Sequence, residues 1–254
     1  MRILITNDDS ISAAQLLPLI KWCQKLGEVT TIVPKFEQSG KSQGIELHKA
    51  FEIKQVELEP GITAYTVDST PADCIRYAVL GMKQKYDLVI SGINRGFNMG
   101  RDIMYSGTVG AVFEAVSLGL KAVALSTGPS FYDRAIEPLD QVLAFFKEHK
   151  LMEKCDLYNV NIRPDAKGIR ITRQGGHFYS DDFVHEENNL YMPHGKCVYE
   201  DNNDLTLDTD CVMHGYISIM PLTIDRANMD IYRQLSHLND QLHSRCKEFK
   251  ESFV

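Results

Sequence analysis

The chain has 254 residues, of which 44% are hydrophobic and 24% charged, and its formal net charge is −7. This apolar content excludes intrinsic disorder, and the length suits one large domain, or one domain with a small appendage, that buries a full core. The negative charge excludes general electrostatic binding to nucleic acid polymers or anionic membranes, so we expect neither as a partner.

The six cysteines show no Cys-x-x-Cys pair. Residues 1–6 run straight into acidic residues, so we expect no signal peptide. The apolar runs are too short to span a membrane. Because Cys23 and Cys74 fall on apolar faces of predicted helices, we interpret the cysteines as free buried thiols. This usage is typical of a reducing compartment, and we expect a cytoplasmic location.

Strands and helices alternate along the first half of the chain. Apolar runs predict strands at the following positions: 2–6, 29–33, 62–67, 86–90 and 122–125. Helical spacing predicts helices over 12–26, from Pro71 onward, and over 108–118. Because the strands are nearly continuous apolar runs, we expect an α/β fold with a parallel sheet covered on both faces.

The pattern changes after about residue 150. Short segments typical of β-structure follow at 157–162, 168–173, 190–192, 196–199 and 211–219, and they suggest hairpins projecting from the sheet. Apolar residues from Ile231 to Phe249 then recur every three or four positions, which predicts an amphipathic terminal helix. Such a helix must pack on its own domain or on a partner subunit. We therefore divide the chain into a core (1–150), its completion with a hairpin region (151–225) and a terminal helix expected to join subunits (226–254).

Three polar segments, 7–10, 34–44 and 91–108, follow predicted strands and should converge on one crevice. Asp8 and Asp9 come directly after a buried strand, where adjacent carboxylates repel one another unless a cation compensates them. Hard oxygen ligands of this kind suit Mg²⁺ or Mn²⁺. The alternative is that one aspartate caps the next helix while the other faces water.

Two further segments offer groups that bind metals or phosphates. Asn94 lies in a Gly- and Asn-rich segment and can present a carbonyl oxygen or an amide donor. Ser106, Gly107 and Thr108 precede a helix, where free N–H groups and the helix dipole attract anions, although an ordinary N-cap would look the same. We expect Glu114, inside that helix, to face solvent. Together the segments fit metal-assisted hydrolysis of a phosphate ester.

These segments, taken in order, resemble the SurE family of survival-protein nucleotidases. The resemblance runs from residue 1 to about 225 and rests on the segments 3–9, 38–40, 70–74, 91–100, 105–111, 159–162, 172–175 and 215–222. It implies a 5'-nucleotidase that hydrolyses nucleoside monophosphates and needs one divalent cation per subunit, most naturally Mg²⁺ or Mn²⁺. Activity on 3'-nucleotides and short polyphosphate is also implied.

The resemblance also implies roles for individual residues. It assigns the metal ligands to Asp8, Asp9, Ser39 and Asn94, and the phosphate cradle to Ser39, Gly40, Asn98, Ser106, Gly107 and Thr108. Among these, Asp8, Asp9, Asn94 and Ser106 are the expected catalytic residues. Attack on phosphorus by water, with Asp8 or Asp9 as base, and attack by an aspartate through an aspartyl phosphate both stay open.

For the fold, the resemblance implies a Rossmann-like, doubly wound, mostly parallel sheet with a β-hairpin extension. It also implies a terminal helix exchanged between the subunits of a homodimer or homotetramer. The chain departs from the family pattern at Ser10, where glycine is usual, at Ser69, at Met220, and in the loop 41–44. The loop places the substrate preference in question more than the reaction.

Other readings of the acidic pair have specific weaknesses. A receiver-like signalling domain would be about half this length, and haloacid-dehalogenase-like phosphatases carry Asp-x-Asp rather than adjacent aspartates. A nucleotide-binding regulator without catalysis is the remaining alternative.

Residues 181–210 hold nine acidic residues and one lysine, Lys196. This local charge should repel long polyanions and favour mononucleotides.

Overall fold

The structure, a computed structural model, describes residues 1–238. Contacts divide the chain into two compact units, Met1–Leu222 and Thr223–Val254. The first unit contains eleven strands: β1 (Arg2–Thr6), β2 (Glu28–Pro34), β3 (Ile53–Glu59), β4 (Ile62–Val67), β5 (Leu88–Arg95), β6 (Ala122–Thr127), β7 (Leu157–Ile162), β8 (Ile169–Ile171), β9 (Tyr179–His185), β10 (Tyr191–Cys197) and β11 (Ile217–Pro221).

The α-helices of the first unit lie mostly between these strands. They are α1 (Leu16–Gln24), α2 (Pro71–Arg76), α3 (Gly107–Ser117), α4 (Leu139–Glu148), α5 (Leu151–Lys154) and α6 (Asp208–Met213). Local sequence fixes where two of them begin. The Thr70 hydroxyl accepts the Asp73 N–H at 3.1 Å ahead of Pro71, and the Ser106 hydroxyl accepts the Val109 N–H at 3.1 Å. Both side chains satisfy N–H groups that a helix start leaves free.

Nine strands form one sheet in the order β3-β4-β2-β1-β5-β6-β7-β11-β8, and β9 and β10 form a separate hairpin. All neighbours in the sheet pair in parallel except β3 with β4 and β11 with β7. The chain moves from β1 towards β2 on one side and from β5 towards β6 on the other. The point where the direction reverses therefore lies between β1 and β5, and the predicted doubly wound, mostly parallel α/β sheet is confirmed.

The helices cover both faces of the sheet, with one unusual connection. Helices α1 and α4 pack on one face, and α2 and α3 on the other. The connection through α1 runs from β1 towards β2 on one face, and those through α2 and α3 run in the opposite direction along the sheet on the other face. Reversing both the direction and the face leaves the hand unchanged, so these three connections share one hand. The α4 connection runs in the same direction as α3 but on the other face, so its hand is reversed. Since nearly all such crossovers are right-handed, β6–α4–β7 is the left-handed one.

Several elements differ from those that the sequence predicted. Strand β5 extends to Arg95, so the segment 91–95 lies in the sheet rather than in a loop. Strand β3, helix α4 and strand β9 were not predicted, and the predicted strand over 211–219 is wrong in its first half, where α6 lies. Strand β3 is an edge strand with little burial, so it lacks the apolar run that reveals the central strands.

The described part of the second unit contains helix α7 (Met229–Leu235), which starts where the Asn228 side chain accepts the Ile231 N–H at 3.1 Å. The predicted terminal helix therefore begins as expected, while its positions at Leu242, Cys246 and Phe249 lie outside the described residues. None of the helices within residues 1–238 combines the length and apolar character needed to cross a bilayer.

The departure at Ser10 has a conformational consequence. This buried residue has φ +74°, a left-handed conformation that costs a non-glycine residue about 1–2 kcal/mol. Ser10→Gly should therefore stabilise the protein by about 0.5–1 kcal/mol after the entropy that glycine loses on folding. Calorimetry should show a melting temperature about 1–4 °C higher. Ser10→Ala keeps the strain and loses the contact of the hydroxyl with the Ser12 N–H, so an equal gain for alanine would contradict this explanation.

Candidate active site

A cleft of about 730 Å³ opens at the carboxyl ends of β1 and β5, where the winding direction reverses. The three polar segments that the sequence singled out meet there. Seven of the nine predicted site residues line this cleft: Asp8, Asp9, Ser39, Gly40, Asn94, Asn98 and Ser106. The other two, Gly107 and Thr108, lie directly behind Asp8. This is the position at which doubly wound sheets bind ligands.

Asp8 is almost completely buried and faces the start of α3. Its Oδ1 accepts a hydrogen bond from the Thr108 hydroxyl, which is itself buried. Burial raises the pKa of Asp8, because removing the carboxylate from water disfavours its charged form. The Thr108 hydroxyl, predicted to cradle phosphate, is therefore engaged with Asp8.

Gly107 permits the close approach of α3 to Asp8. A β-carbon at Gly107 would lie 2.9 Å from the Asp8 Cβ and 3.1 Å from the Gln38 carbonyl oxygen. A side chain would thus force apart the first and second polar segments. Because the absence of a side chain brings the positive end of the helix dipole beside Asp8, α3 partly offsets the cost of burying this carboxylate.

Asp9 lies beside Asp8 with more exposure to the cleft. Its Oδ2 accepts the Arg95 N–H at 3.0 Å. Burial, and next the neighbouring Asp8 carboxylate, raise the pKa of Asp9 to about 6. Within residues 1–238, no Lys, Arg or His side chain lies within 4.0 Å of either carboxylate. Neither carboxylate therefore has an ion-pair partner among these residues.

Asn94 and Ser39 present neutral oxygens near this pair. The Asn94 amide nitrogen donates to the Gly96 carbonyl at 2.8 Å, which leaves its Oδ1 as the free polar atom. The Ser39 hydroxyl donates to Glu37 Oε1 at 2.8 Å and keeps its oxygen lone pairs. Both residues can therefore act as neutral oxygen ligands.

Asn98 is held by polar side chains of the neighbouring strands. Its backbone carbonyl accepts hydrogen bonds from the side-chain amides of Asn159 and Asn161, each at 2.7 Å. Its own side-chain amide donates to Ser126 Oγ at 2.8 Å. These three partners are fully buried, and no role in the site was predicted for them from the sequence. Two asparagines alternating within the apolar strand β7 are the signal that could have revealed them.

The second polar segment is fastened to α3 and to the segment before it. The Ser42 N–H donates to the Tyr105 carbonyl at 3.0 Å, and the Gln43 amide donates to Glu114 at 2.9 Å. Glu114 also accepts from Arg76 at 3.0 Å and is buried, so the expectation that it faces solvent is wrong. Its helix position lies beneath this loop, which sequence periodicity does not reveal. Gln43 therefore holds the loop to α3 and is not among the residues that line the cleft.

The outer wall of the cleft contains residues that sequence reasoning missed. Those on or beside the third segment are Arg95, Phe97, Asp102 and Tyr105, and Tyr179 and Asp181 come from strand β9. Asp102 accepts the N–H groups of Phe178 and Tyr179 at 2.9 and 2.8 Å, and so fixes the base of the hairpin beside the cleft. Nothing in the local sequence of β9 indicates this placement.

The donor set fits a hard divalent cation. Two carboxylates, an amide oxygen and a hydroxyl oxygen are the ligand types that Mg²⁺ and Mn²⁺ accept, with water completing the shell. Among residues 1–238, no group of three or more His, Cys, Asp or Glu side chains is arranged to hold a metal ion. Such a cation would thus depend on Asp8 and Asp9 together with neutral ligands.

A doubly wound sheet with an acidic pair at its switch point, beside a helix N-terminus and without an ion-pair partner in residues 1–238, belongs to the class of folds that bind metals and phosphate groups at this edge. The family model of the survival protein SurE matches residues 3–181. The chain belongs to the SurE family.

Curated relatives extend this similarity over almost the whole chain. The 5'-nucleotidase SurE of Thermoanaerobacter sp. (strain X514) is 36% identical over 253 residues, covering 94% of this chain and 97% of the relative. The 5'-nucleotidase SurE of Legionella pneumophila is 34% identical over 263 residues, covering 98% and 100%. The crystal structure of the SurE protein from Aquifex aeolicus superposes with a TM-score of 0.73 at 26% identity, covering 94% of this chain and all of that one.

Proposed function

We propose that this protein is a divalent-metal-dependent 5'-nucleotidase, a phosphoric monoester hydrolase that converts nucleoside monophosphates to nucleoside and phosphate. The observation that carries the proposal is the pair of the buried Asp8 and the half-buried Asp9 at the switch point of the sheet, with Asp8 facing the N-terminus of α3 and no ion-pair partner for either carboxylate among residues 1–238. The names of the relatives supply the reaction.

Asp8, Asp9, Ser39 and Asn94 would hold the cation. When bound, it supplies charge neutralisation and polarisation of the phosphoryl group. Five carboxylates among residues 1–238 line the cleft, those of Asp8, Asp9, Glu37, Asp102 and Asp181, against the single guanidinium of Arg95. An anionic phosphate would be repelled by this surface, so the proposed substrate requires the cation for binding as well as for chemistry.

The chain itself supplies the cradle for the phosphate. The Ser106 oxygen already accepts the Val109 N–H, so its own proton is free to donate to a phosphate oxygen in the cleft. Gly40, with φ +73° and no atom near its missing β-carbon, leaves room for close approach of a ligand to the backbone. These donors and the α3 dipole would stabilise charge on the phosphoryl oxygens.

Asp9 is the carboxylate placed to assist the attack, since Asp8 is engaged by Thr108. Asp9 either receives the proton of the attacking water or attacks phosphorus itself to form an aspartyl phosphate. Both routes break the phosphorus–ester oxygen bond, and the departing nucleoside oxygen takes up a proton, in the first route the one that Asp9 received. In the second route, water then hydrolyses the aspartyl phosphate, which releases phosphate and restores Asp9. Denaturing the enzyme during turnover of ³²P-labelled AMP and searching for labelled protein distinguishes the two routes.

Phosphate release from AMP and GMP is expected with added Mg²⁺ or Mn²⁺ and should fall to background with EDTA. Restoring the metal should restore activity, because the acidic cleft repels the substrate without it. A panel with 3'-AMP and short polyphosphate measures the breadth that we propose for the same site. Binding of AMP without any phosphate release under these conditions would favour a non-catalytic nucleotide-binding protein.

We further propose a cytoplasmic homodimer or homotetramer joined through residues 226–254. Its support is the amphipathic pattern of this segment and the helix α7 within it. Light scattering should give a dimeric or tetrameric mass for the full chain, and monomers or aggregates after deletion of 226–254. An unchanged assembly would contradict the role of this segment.

A further inference from the structure

A second cavity lies on the sheet face that α1 and α4 share. Phe146 of α4 packs edge-on against Tyr158 of β7 with 5.1 Å between ring centroids, while α1 contacts the sheet around β1. Strands β5 and β6 lie between β1 and β7, which places β1 and β7 three strand spacings, about 14 Å, apart. Helices in direct contact lie about 8–10 Å apart, so this spacing leaves a gap between α1 and α4.

The gap forms an apolar cavity of about 440 Å³. Twelve of its fifteen lining residues are apolar, among them Trp22, Leu26, Leu125, Val142 and Phe146. Contact of water with this apolar lining is unfavourable, so an apolar ligand that displaces the water would be stabilised. This cavity is about three times the ~150 Å³ that accommodates benzene in an engineered core, so it has room for an alkyl chain of roughly ten carbons or more.

The mouth of the cavity has a charge that suits an anion. The three charged lining residues are Lys147, Lys150 and Glu153. Neither lysine has an acidic partner within 4.0 Å among the residues that the structure describes. Both are exposed, so their ammonium groups are available to a ligand at the rim.

We propose that this cavity binds a free medium-chain fatty acid, with the alkyl chain between α1 and α4 and the carboxylate at Lys147 and Lys150. The apolar wall accounts for the chain, and the two lysines without acidic partners account for the headgroup. Its lining shares no residue with the catalytic cleft. The site is therefore independent of the proposed nucleotidase activity.

Trp22 is the only tryptophan in the 254 residues, so intrinsic tryptophan fluorescence reports on this cavity alone. Its indole N–H donates to Asp140 at 2.8 Å, which holds the ring in the wall. Titration of the full-length protein with decanoate should change the Trp22 emission saturably. Affinity should weaken about fourfold for each methylene removed, which octanoate and decanoate together measure.

Two variants test the two halves of the site. The double substitution Lys147→Glu and Lys150→Glu should weaken decanoate binding at least tenfold and leave 1-decanol binding within a factor of two. Val142→Phe should narrow the cavity and weaken both responses. Because the lysines are exposed, the charge variant retains the fold even if the phenylalanine variant does not.

Three results would overturn the proposal. The first is the absence of a saturable response to decanoate in the wild-type protein, and the second is an equal decanoate affinity in the charge variant. The third is a Trp22 emission that changes with protein concentration and not with decanoate, which would mean that a second copy of the chain covers the cavity. Phosphate release plays no part in these readouts, so they stand whether or not the nucleotidase proposal holds.

Discussion

Asp9→Asn is expected to lower kcat/KM for AMP hydrolysis by about 10³-fold, measured as phosphate release at saturating Mg²⁺ or Mn²⁺. The substitution is nearly isosteric and keeps an acceptor for the Arg95 N–H, but it removes half of the charge that would hold the cation. Asp181→Asn is the matched control, because it removes a carboxylate from the hairpin wall of the same cleft. We expect less than a tenfold effect there, and equal losses in both variants would contradict the assignment.

The same variant should be more stable than the wild type when the metal is removed. The pKa of Asp9 is raised to about 6 in the folded state, above the ordinary aspartate value of 3.8. The folded state thus binds this proton more tightly than the unfolded state, and wild-type stability falls as pH rises from about 4 through 6. In EDTA at pH 8, Asp9→Asn should gain roughly 1–2 kcal/mol, allowing for screening of a partly exposed group, and the gain should vanish near pH 4.

Added metal should reverse this order. Mg²⁺ or Mn²⁺ should raise the melting temperature of the wild type and leave that of Asp9→Asn nearly unchanged, since ligands that bind only the folded state stabilise it. A variant that is inactive, folded and unresponsive to metal would locate the defect at the cation site. A variant that melts well below the wild type in EDTA would instead point to a structural role for Asp9.

Gly110→Ala is expected to reduce activity at least about a hundredfold without touching any proposed ligand. A β-carbon at Gly110 would lie 2.0 Å from the Ser42 carbonyl oxygen and 2.7 Å from the Gln43 nitrogen. Both partners are backbone atoms, so the loop must move by an ångström or more. Its movement would carry Ser39 and Gly40 away from the aspartates, and small displacements of positioning groups can cost a hundredfold in rate.

The stability cost of this variant should be about 3 kcal/mol, at the upper end for overpacking, because the clash involves rigid backbone. Gly176→Ala is the matched control, since a β-carbon there has no neighbour within 4 Å. It should change neither activity nor melting temperature measurably. Near-wild-type turnover of Gly110→Ala would show that the loop is not held to α3 in the way described.

The residues predicted from the sequence lie at the centre of this cleft, and those at its periphery were not predicted. Asp8, Asp9 and Ser106 stand directly at the end of an apolar strand or at the start of a helix, and local pattern places such residues at the sheet edge. The Asp102 contacts with residues 178 and 179 join parts of the chain more than 70 positions apart. Periodicity contains no information about such contacts, and β9, which has no buried face, gives no apolar signal.

The sequence by itself determined the chain order of the chemical groups, namely the acidic pair, the hydroxyl turn, the asparagine segment and the helix start, in three polar segments that follow predicted strands. Apolar runs and capping residues are local, so they can be read without coordinates. Only the tertiary structure decided that Thr108 serves Asp8, that Glu114 is buried, and that α4 crosses to the face of α1. Those outcomes depend on how side chains from distant segments pack against one another on the formed sheet. Local sequence patterns do not contain that information.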